Sequence, residues 1–182
     1  MQNHRFLERR SFIRQAFGLG TAIALAPAVK AAAATAAPME MSFYHTHTGE
    51  RVKIEYCTWG CAPSVLEELN QFLRDFRTGE VHPIDAGLFS TLYNIQQISG
   101  RRGDIEIISG YRSPKTNSQL RKKGGGVAKR SMHMQGKAMD IRISGLDTRQ
   151  LRDIAVSLSH GGVGYYSRSN FVHIDTGRVR TW

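Results

Sequence analysis

The ten residues Ser131-Met132-His133-Met134-Gln135-Gly136-Lys137-Ala138-Met139-Asp140 constrain this chain more than any other segment. They join a turn to a strand whose two faces differ in chemistry. Side chains alternate across a strand, so Met139, Ile141 and Ile143 share one face and Ala138, Asp140 and Arg142 the other. The apolar face seeks the core, which sends Asp140 toward a cleft or solvent on the opposite side. Gly136 permits the sharp turn that folds His133 back beside Asp140. A second strand, Phe171-Val172-His173-Ile174-Asp175, puts Phe171, His173 and Asp175 on one face and Val172 and Ile174 on the other. If the two strands are neighbours, His133, Asp140 and His173 converge. Two imidazoles and a carboxylate suit Zn2+, and three protein ligands leave a fourth position open to water. A metal in that position acidifies the water and polarises a carbonyl.

The rest of the pattern supplies helices and strands to frame this pair. Met41 to Tyr56 reads as a hairpin, with Ser42-Phe43-Tyr44 and Val52 to Tyr56 flanking a turn at Gly49. Pro63 opens a helix whose apolar face runs through Val65, Leu66, Leu69, Phe72, Leu73 and Phe76. A second helix spans about Asp85 to Ile98 and stops at Gly100. Asp104 to Ser109 is a strand. A short helix follows near Lys115 to Lys122, and Leu146 to Leu158 is a helix with Asp147 as its cap. Gly161 to Tyr166 and Phe171 to Asp175 close the domain as strands. Helices first, then strands interleaved with one helix, predict an α+β domain: an antiparallel sheet with helices packed on one side.

Before that domain the chain carries an address. Arg5, Arg9, Arg10 and Arg14 precede an apolar run from Ala16 to Val29, and small residues follow, the order of an export signal. Arg9-Arg10-Ser11-Phe12-Ile13-Arg14 resembles the twin-arginine signal. The run is too short and too rich in Gly and Ala for a membrane span. The expected layout is a signal over 1–31, a linker over 32–40 and a domain over 41–182. Export would place the mature protein in the periplasm, with no stable membrane insertion once the signal is cleaved. The formal charge of the 182 residues is +10. The first 31 residues hold five bases and one acid, so the remainder keeps 20 bases against 14 acids, or +6. That is basic without demanding nucleic acid. Cys57 and Cys61, with three residues between them, fit neither a thioredoxin nor a zinc-knuckle spacing and read as a local disulfide or two free thiols.

The pattern Ser-x-His-x-x-Gly-x-Ala-x-Asp, followed far downstream by Val-His-Ile-Asp, resembles the zinc D-alanyl-D-alanine peptidases of bacterial cell walls, whose fold is shared with the hedgehog signalling domain. The likeness is strongest to their murein endopeptidase K branch. It extends to Ser109-Gly110-Tyr111-Arg112-Ser113 and Gly162-Val163-Gly164-Tyr165-Tyr166, and covers about Ser42 to Trp182. The resemblance implies Zn2+ on His133, Asp140 and His173, with Arg112 gripping substrate or the developing oxyanion. It implies peptidoglycan stem peptides as partners and hydrolysis of a crosslink between two meso-diaminopimelate residues. Cleavage of a D-Ala-to-diaminopimelate bond, a carboxypeptidase reaction and a non-catalytic, zinc-stabilised wall-binding module are the alternatives. Ser131 would hold substrate or orient His133, or simply cap a turn. One part of the family pattern is missing. Many relatives place an acid three residues before the last zinc histidine, as general base, and here that residue is Asn170. Asp175, two residues beyond His173, is the nearest substitute. It either activates water as a catalytic base or orients His173.

Other polar groups carry less. His45 and His47 read as an exposed hairpin pair without an acidic partner, His160 as a helix-end cation, and Trp59 and Trp182 as packing or groove residues. Arg121-Lys122-Lys123 and Lys129-Arg130 flank three glycines. A basic rim there suits the carboxylates of stem peptides better than nucleic acid, since no stacking aromatics are interleaved.

Overall fold

In the computed structural model, a seven-stranded sheet in the order β2-β1-β3-β4-β6-β5-β7 organises the chain. The structure describes residues 39–56, 62–124 and 126–182. The export signal, most of the expected linker, Trp59 and the two cysteines lie outside the described residues. Strand β1 (Met39–His45) pairs with β2 (Arg51–Tyr56) as the expected hairpin. It takes in Met39 and Glu40, the last two residues of the expected linker. Two helices, α1 (Pro63–Phe72) and α2 (Ala86–Ser99), then carry the chain to β3 (Ile105–Ser109). Helix α3 (Pro114–Lys122) and a 3-10 turn at Met132–Gln135 lead into β4 (Ala138–Ile143). Helix α4 (Thr148–Leu158), β5 (Gly162–Tyr166), β6 (Phe171–Asp175) and β7 (Arg180–Thr181) complete the domain.

The fold is α+β, but the sheet is mixed where an antiparallel one was expected. Strands β1 and β3 run parallel, as do β5 and β7. The first pair follows from its connection: β2 carries the chain back along β1, and α1 and α2 then return it to that same end, so β3 sets out in the direction of β1. The second arises because β7 passes β6 and pairs with the far edge of β5.

Local signals set the helix ends. The Asp85 side chain accepts the Gly87 N–H at 2.9 Å, and Gly100 closes α2 with φ of 65°. Asp147 accepts from Arg149 and Gln150 to start α4, and Ser113 accepts from Thr116 to start α3. Helix α1 ends at Phe72, four residues earlier than its apolar spacing implied. Asp75 takes over there, its carboxylate accepting the N–H groups of Arg77 and Ser113. Phe76 then stacks on His47, with ring centroids 4.2 Å apart.

One face of the sheet forms the core. Met41, Phe43, Ile105, Ile107, Met139, Ile141, Val172 and Ile174 are buried there with Leu69 of α1, Leu88, Phe89 and Leu92 of α2, and Leu151 of α4. Phe43 meets Phe72 and Phe89 edge-on, at 6.2 and 6.3 Å. Each such side chain contributes about 1.5–3 kcal/mol through burial. That apolar set leaves the other face of β4 and β6 free for polar groups. Among the described residues no helix is long and apolar enough to cross a membrane.

Candidate metal centre

Strands β4 and β6 are antiparallel neighbours, and their register sets Asp140 directly opposite His173 and Ala138 opposite Asp175. Period-two alternation then puts both side chains on the face away from the core. His133 arrives from the 3-10 turn. Gly136 ends that turn with φ of 64°, and the chain enters β4 two residues later. His133, Asp140 and His173 are all buried and offer one donor atom each, all within 4.8 Å of one another. Nε2 of His133 lies 3.2 Å from Nδ1 of His173 and 3.3 Å from Oδ1 of Asp140. Nδ1 of His173 lies 2.8 Å from the same oxygen.

The outer hydrogen bonds fix what these atoms present. Nδ1 of His133 is 2.8 Å from the carbonyl oxygen of Gly110, which can only accept, so Nδ1 carries the proton and Nε2 turns a lone pair inward. Nε2 of His173 is 3.2 Å from Oδ2 of Asp175, which leaves its Nδ1 as the inward lone pair. Two neutral imidazoles and a carboxylate thus aim three acceptors at one point. Such a cluster needs a cation between its members, and this donor set fits a divalent metal. Burial alone would raise the Asp140 carboxyl, yet the two imidazoles hold it well below the usual carboxylate range. Burial opposes charge on His173 as well, but Asp140 and Asp175 raise its imidazole above its ordinary value. Without a cation between them, the same carboxylates favour a proton on that imidazole, which a bound metal must displace.

Asp175 does not have the surroundings of a base. Its side chain is fully buried. Oδ1 accepts from Gly162 N at 3.1 Å, Gly177 N at 2.8 Å and Arg180 at 3.0 Å, while Oδ2 accepts from Arg180 at 2.6 Å and contacts His173. Burial works to raise it, but His173, Arg180 and the two amides together hold its carboxyl well below the usual range. Of the two roles the sequence left open, the contacts favour orientation of His173 over activation of water. Asn170, at the position where the family pattern has its acid, sits with φ of 52° and accepts a hydrogen bond from Thr148 at 2.9 Å. It faces a different depression from the metal cluster.

The cluster floors a cavity of about 300 Å³, also lined by Arg112, Arg130, Ser131, Tyr166, Arg180 and Trp182. Asp140 is its one acidic lining residue among the described residues. The Arg112 guanidinium stands 3.7 Å from Oδ2 of Asp140, and its Nε is buried without a hydrogen-bond partner among the described residues. Its backbone is pinned by its own N–H to the carbonyl oxygen of His133 at 3.1 Å. Ser131 is buried in the cavity lining, and its hydroxyl makes no cap to the turn that follows.

The other expectations divide. His47 is exposed, but His45 is fully buried between Phe72 and Phe76, at 5.8 and 5.5 Å, so the pair is not a surface pair. Strand alternation sets this, because β1 points His45 to the core face alongside Met41 and Phe43. His160 contacts the Thr91 hydroxyl at 3.2 Å. Trp182 is half exposed and packs on His173 with ring centroids 5.3 Å apart. Sequence reasoning missed Arg180 as the clamp on Asp175, since nothing local marks an arginine that reaches back across the turn between β6 and β7. It also missed Tyr166, whose place in the cavity follows only from the pairing of β5 with β6.

Comparison with known proteins gives concordant results. Residues 33–182 match the family model described as peptidoglycan L,D-endopeptidase MepK. The chain is 46% identical over 165 residues to the peptidoglycan L,D-endopeptidase MepK of Escherichia coli strain K12, covering 90% of each chain. It is equally similar to the protein of that name from Shigella flexneri. A probable peptidoglycan L,D-endopeptidase MepK of Haemophilus influenzae is 45% identical over 168 residues, covering 91% of this chain and 90% of the relative.

Proposed function

The chain belongs to the peptidoglycan L,D-endopeptidase MepK family, and on that premise we propose that it is a periplasmic, zinc-dependent hydrolase of peptidoglycan crosslinks. The observation that carries the reading is the convergence of three inward-facing acceptor atoms, from His133, Asp140 and His173, on the floor of an open cationic cavity. Zn2+ is the cation we assign to them, because two imidazoles and one carboxylate are the ligands of catalytic zinc sites with a position to spare. The ion would supply Lewis acidity, acidifying water and polarising the scissile carbonyl.

The remaining chemistry belongs to the chain. Gly110 and Asp175 each hold one imidazole in the tautomer that faces the metal. Arg112 presents a guanidinium beside Asp140, placed to bind the oxygen on which charge grows as water adds to the amide carbon. Its buried, unpartnered Nε shows that the protein itself leaves part of this fork unused. Arg130 at the rim, with Lys129 and the bases before the glycines, draws in the carboxylates of stem peptides. The bond we assign joins two meso-diaminopimelate residues. Its acyl side is an L-centre and its amine side a D-centre, in keeping with the L,D specificity named for the relatives, whereas a D-Ala-to-diaminopimelate bond is D,D. The leader over 1–31 is proposed to direct export by the twin-arginine route.

Digestion of two defined dimeric muropeptides, one with each crosslink, tests the reading. Mass spectrometry should show monomers from the diaminopimelate-linked dimer only, with loss of activity on chelation and return on adding Zn2+. Cleavage that survives complete metal removal, or binding of the dimers with no new amine end, would overturn it.

A further inference from the structure

Tyr166 and Trp182 line the cavity beside the metal cluster, and neither belongs to it. Tyr166 is 40% exposed and lines the cavity with Arg112 and the metal ligands. Its ring stacks on Phe171, its partner in the β5–β6 register, at 4.5 Å and 18°. The stacking sets the orientation of the ring and with it the direction of the phenol. Its oxygen accepts the indole Nε1–H of Trp182 at 3.0 Å. One lone pair is occupied by that bond, and among the described residues nothing accepts the phenolic proton. The O–H is therefore an oriented donor with no protein partner among the described residues.

Trp182 is itself held for this task. Its backbone N–H donates to the Val163 carbonyl at 3.2 Å, and its carbonyl accepts from Tyr165 at 3.0 Å. The indole lies across Gly164, where a Cβ would stand 2.6 Å from its Cε2. Gly164 is the residue paired with His173 across β5 and β6. The missing side chain at Gly164 lets the indole settle against His173 and reach Tyr166 at the same time. A glycine, a tryptophan and a tyrosine thus connect the ligand strand to a single hydroxyl.

We propose that Tyr166 is a catalytic residue: its O–H donates a hydrogen bond to the scissile carbonyl oxygen, sharing with Arg112 the stabilisation of the charge that develops there. The inference rests on the hydrolase reading above. When water oxygen bonds to the amide carbon, the carbonyl π electrons move onto oxygen, and the Tyr166 hydrogen bond strengthens as they do. Tyr166 keeps its proton. The electrons return as the C–N bond breaks, and the protons of the water leave with the amine, giving a carboxylate and an ammonium. A donor whose bond strengthens only in this way lowers the barrier and not the binding energy of substrate. Trp182 is a positioning residue, acting through the phenol oxygen.

The test compares wild type, Tyr166→Phe and Trp182→Phe as metal-loaded proteins, on the diaminopimelate-linked dimer and on its phosphinate analogue, which is tetrahedral and anionic. Tyr166→Phe should lower kcat by on the order of 10²-fold with KM within about twofold. Calorimetry should show a similar loss of affinity for the phosphinate, with bound metal unchanged. Trp182→Phe keeps the ring but not the N–H, and should show a smaller loss of the same kind in both readouts. Wild-type values of kcat and phosphinate affinity in Tyr166→Phe would overturn the proposal, as would a loss carried by KM alone. If Tyr166→Phe melts early, Trp182→Phe decides on the same two readouts. A wild-type protein that does not cleave the dimer would instead overturn the hydrolase reading, and this inference with it.

Discussion

The carboxylate of Asp175 lies 3.2 Å from Nε2 of His173, two residues back on the same strand, while Arg180 and two backbone amides grip it from the other side. A carboxylate so engaged has little freedom to take a proton from water, but it holds the imidazole in one tautomer and one orientation. Asp175→Asn should therefore weaken metal affinity by roughly 10–100-fold, and excess metal should restore most of the turnover. Metal titration alongside kcat at saturating metal separates the two roles. A variant that is fully loaded yet inactive would make Asp175 the base after all.

Gly136 is constrained twice. Its φ of 64° lies in the left-handed region, and a Cβ there would collide with the carbonyl oxygen of Pro83. Gly145 has φ of 77° but open space around it, which makes it the control. Gly145→Ala should cost about 1 kcal/mol, and Gly136→Ala about 3 kcal/mol or more, since backbone strain is joined by a steric clash. At roughly 2–4 °C per kcal/mol for a chain of this size, the two melting temperatures should differ by about 5 °C. Gly136→Ala should also lose metal, because the turn that carries His133 shifts with it. Equal melting temperatures would mean that the Pro83 contact relaxes freely.

What the sequence made legible was local. Alternation in Ala138 to Ile143 and in Phe171 to Asp175 assigned each side chain to its face, and Asp85, Gly100 and Asp147 marked helix ends that the structure keeps. The illegible parts are contacts between distant segments. No periodicity tells that β1 lies parallel to β3, that Asp75 ends α1 by binding the Ser113 amide 38 residues away, or that Arg180 closes on Asp175. His45 reads as exposed for the same reason: polar residues follow it in sequence, and its cage of Phe72 and Phe76 comes from a distant segment. The convergence of His133, Asp140 and His173 was conditional on β4 and β6 being adjacent, and strand adjacency is set by packing of the whole sheet.

Arg112 combines a 3.7 Å approach to Asp140 with a buried, unpartnered Nε. Lysine would keep the charge but offer no planar fork. Arg112→Lys should lower kcat/KM by about 10²-fold while metal content stays at the wild-type level. Arg112→Ala should do no better. If metal is lost from Arg112→Lys as well, the arginine serves to balance Asp140 and not to bind the oxyanion.

His45 ties stability to pH away from the metal. It is fully buried, its Nδ1 accepts the N–H groups of His47 and Thr48 at 3.2 and 3.4 Å, and its Nε2 has no partner among the described residues. Burial pushes its imidazole down to about 4, assisted by His47 and Arg74 and opposed by Glu50. The folded protein thus keeps His45 neutral where the unfolded chain, titrating near 6.5, has taken up a proton. Its contribution is fully present above about pH 6.5 and is lost as pH falls toward 4, a total on the order of 3 kcal/mol. Urea unfolding from pH 7.5 down to pH 4.5 should show wild type losing stability faster than His45→Phe, which cannot titrate there and keeps an aromatic ring in the cage. Parallel curves for the two proteins would show that His45 gains no proton on unfolding in this range.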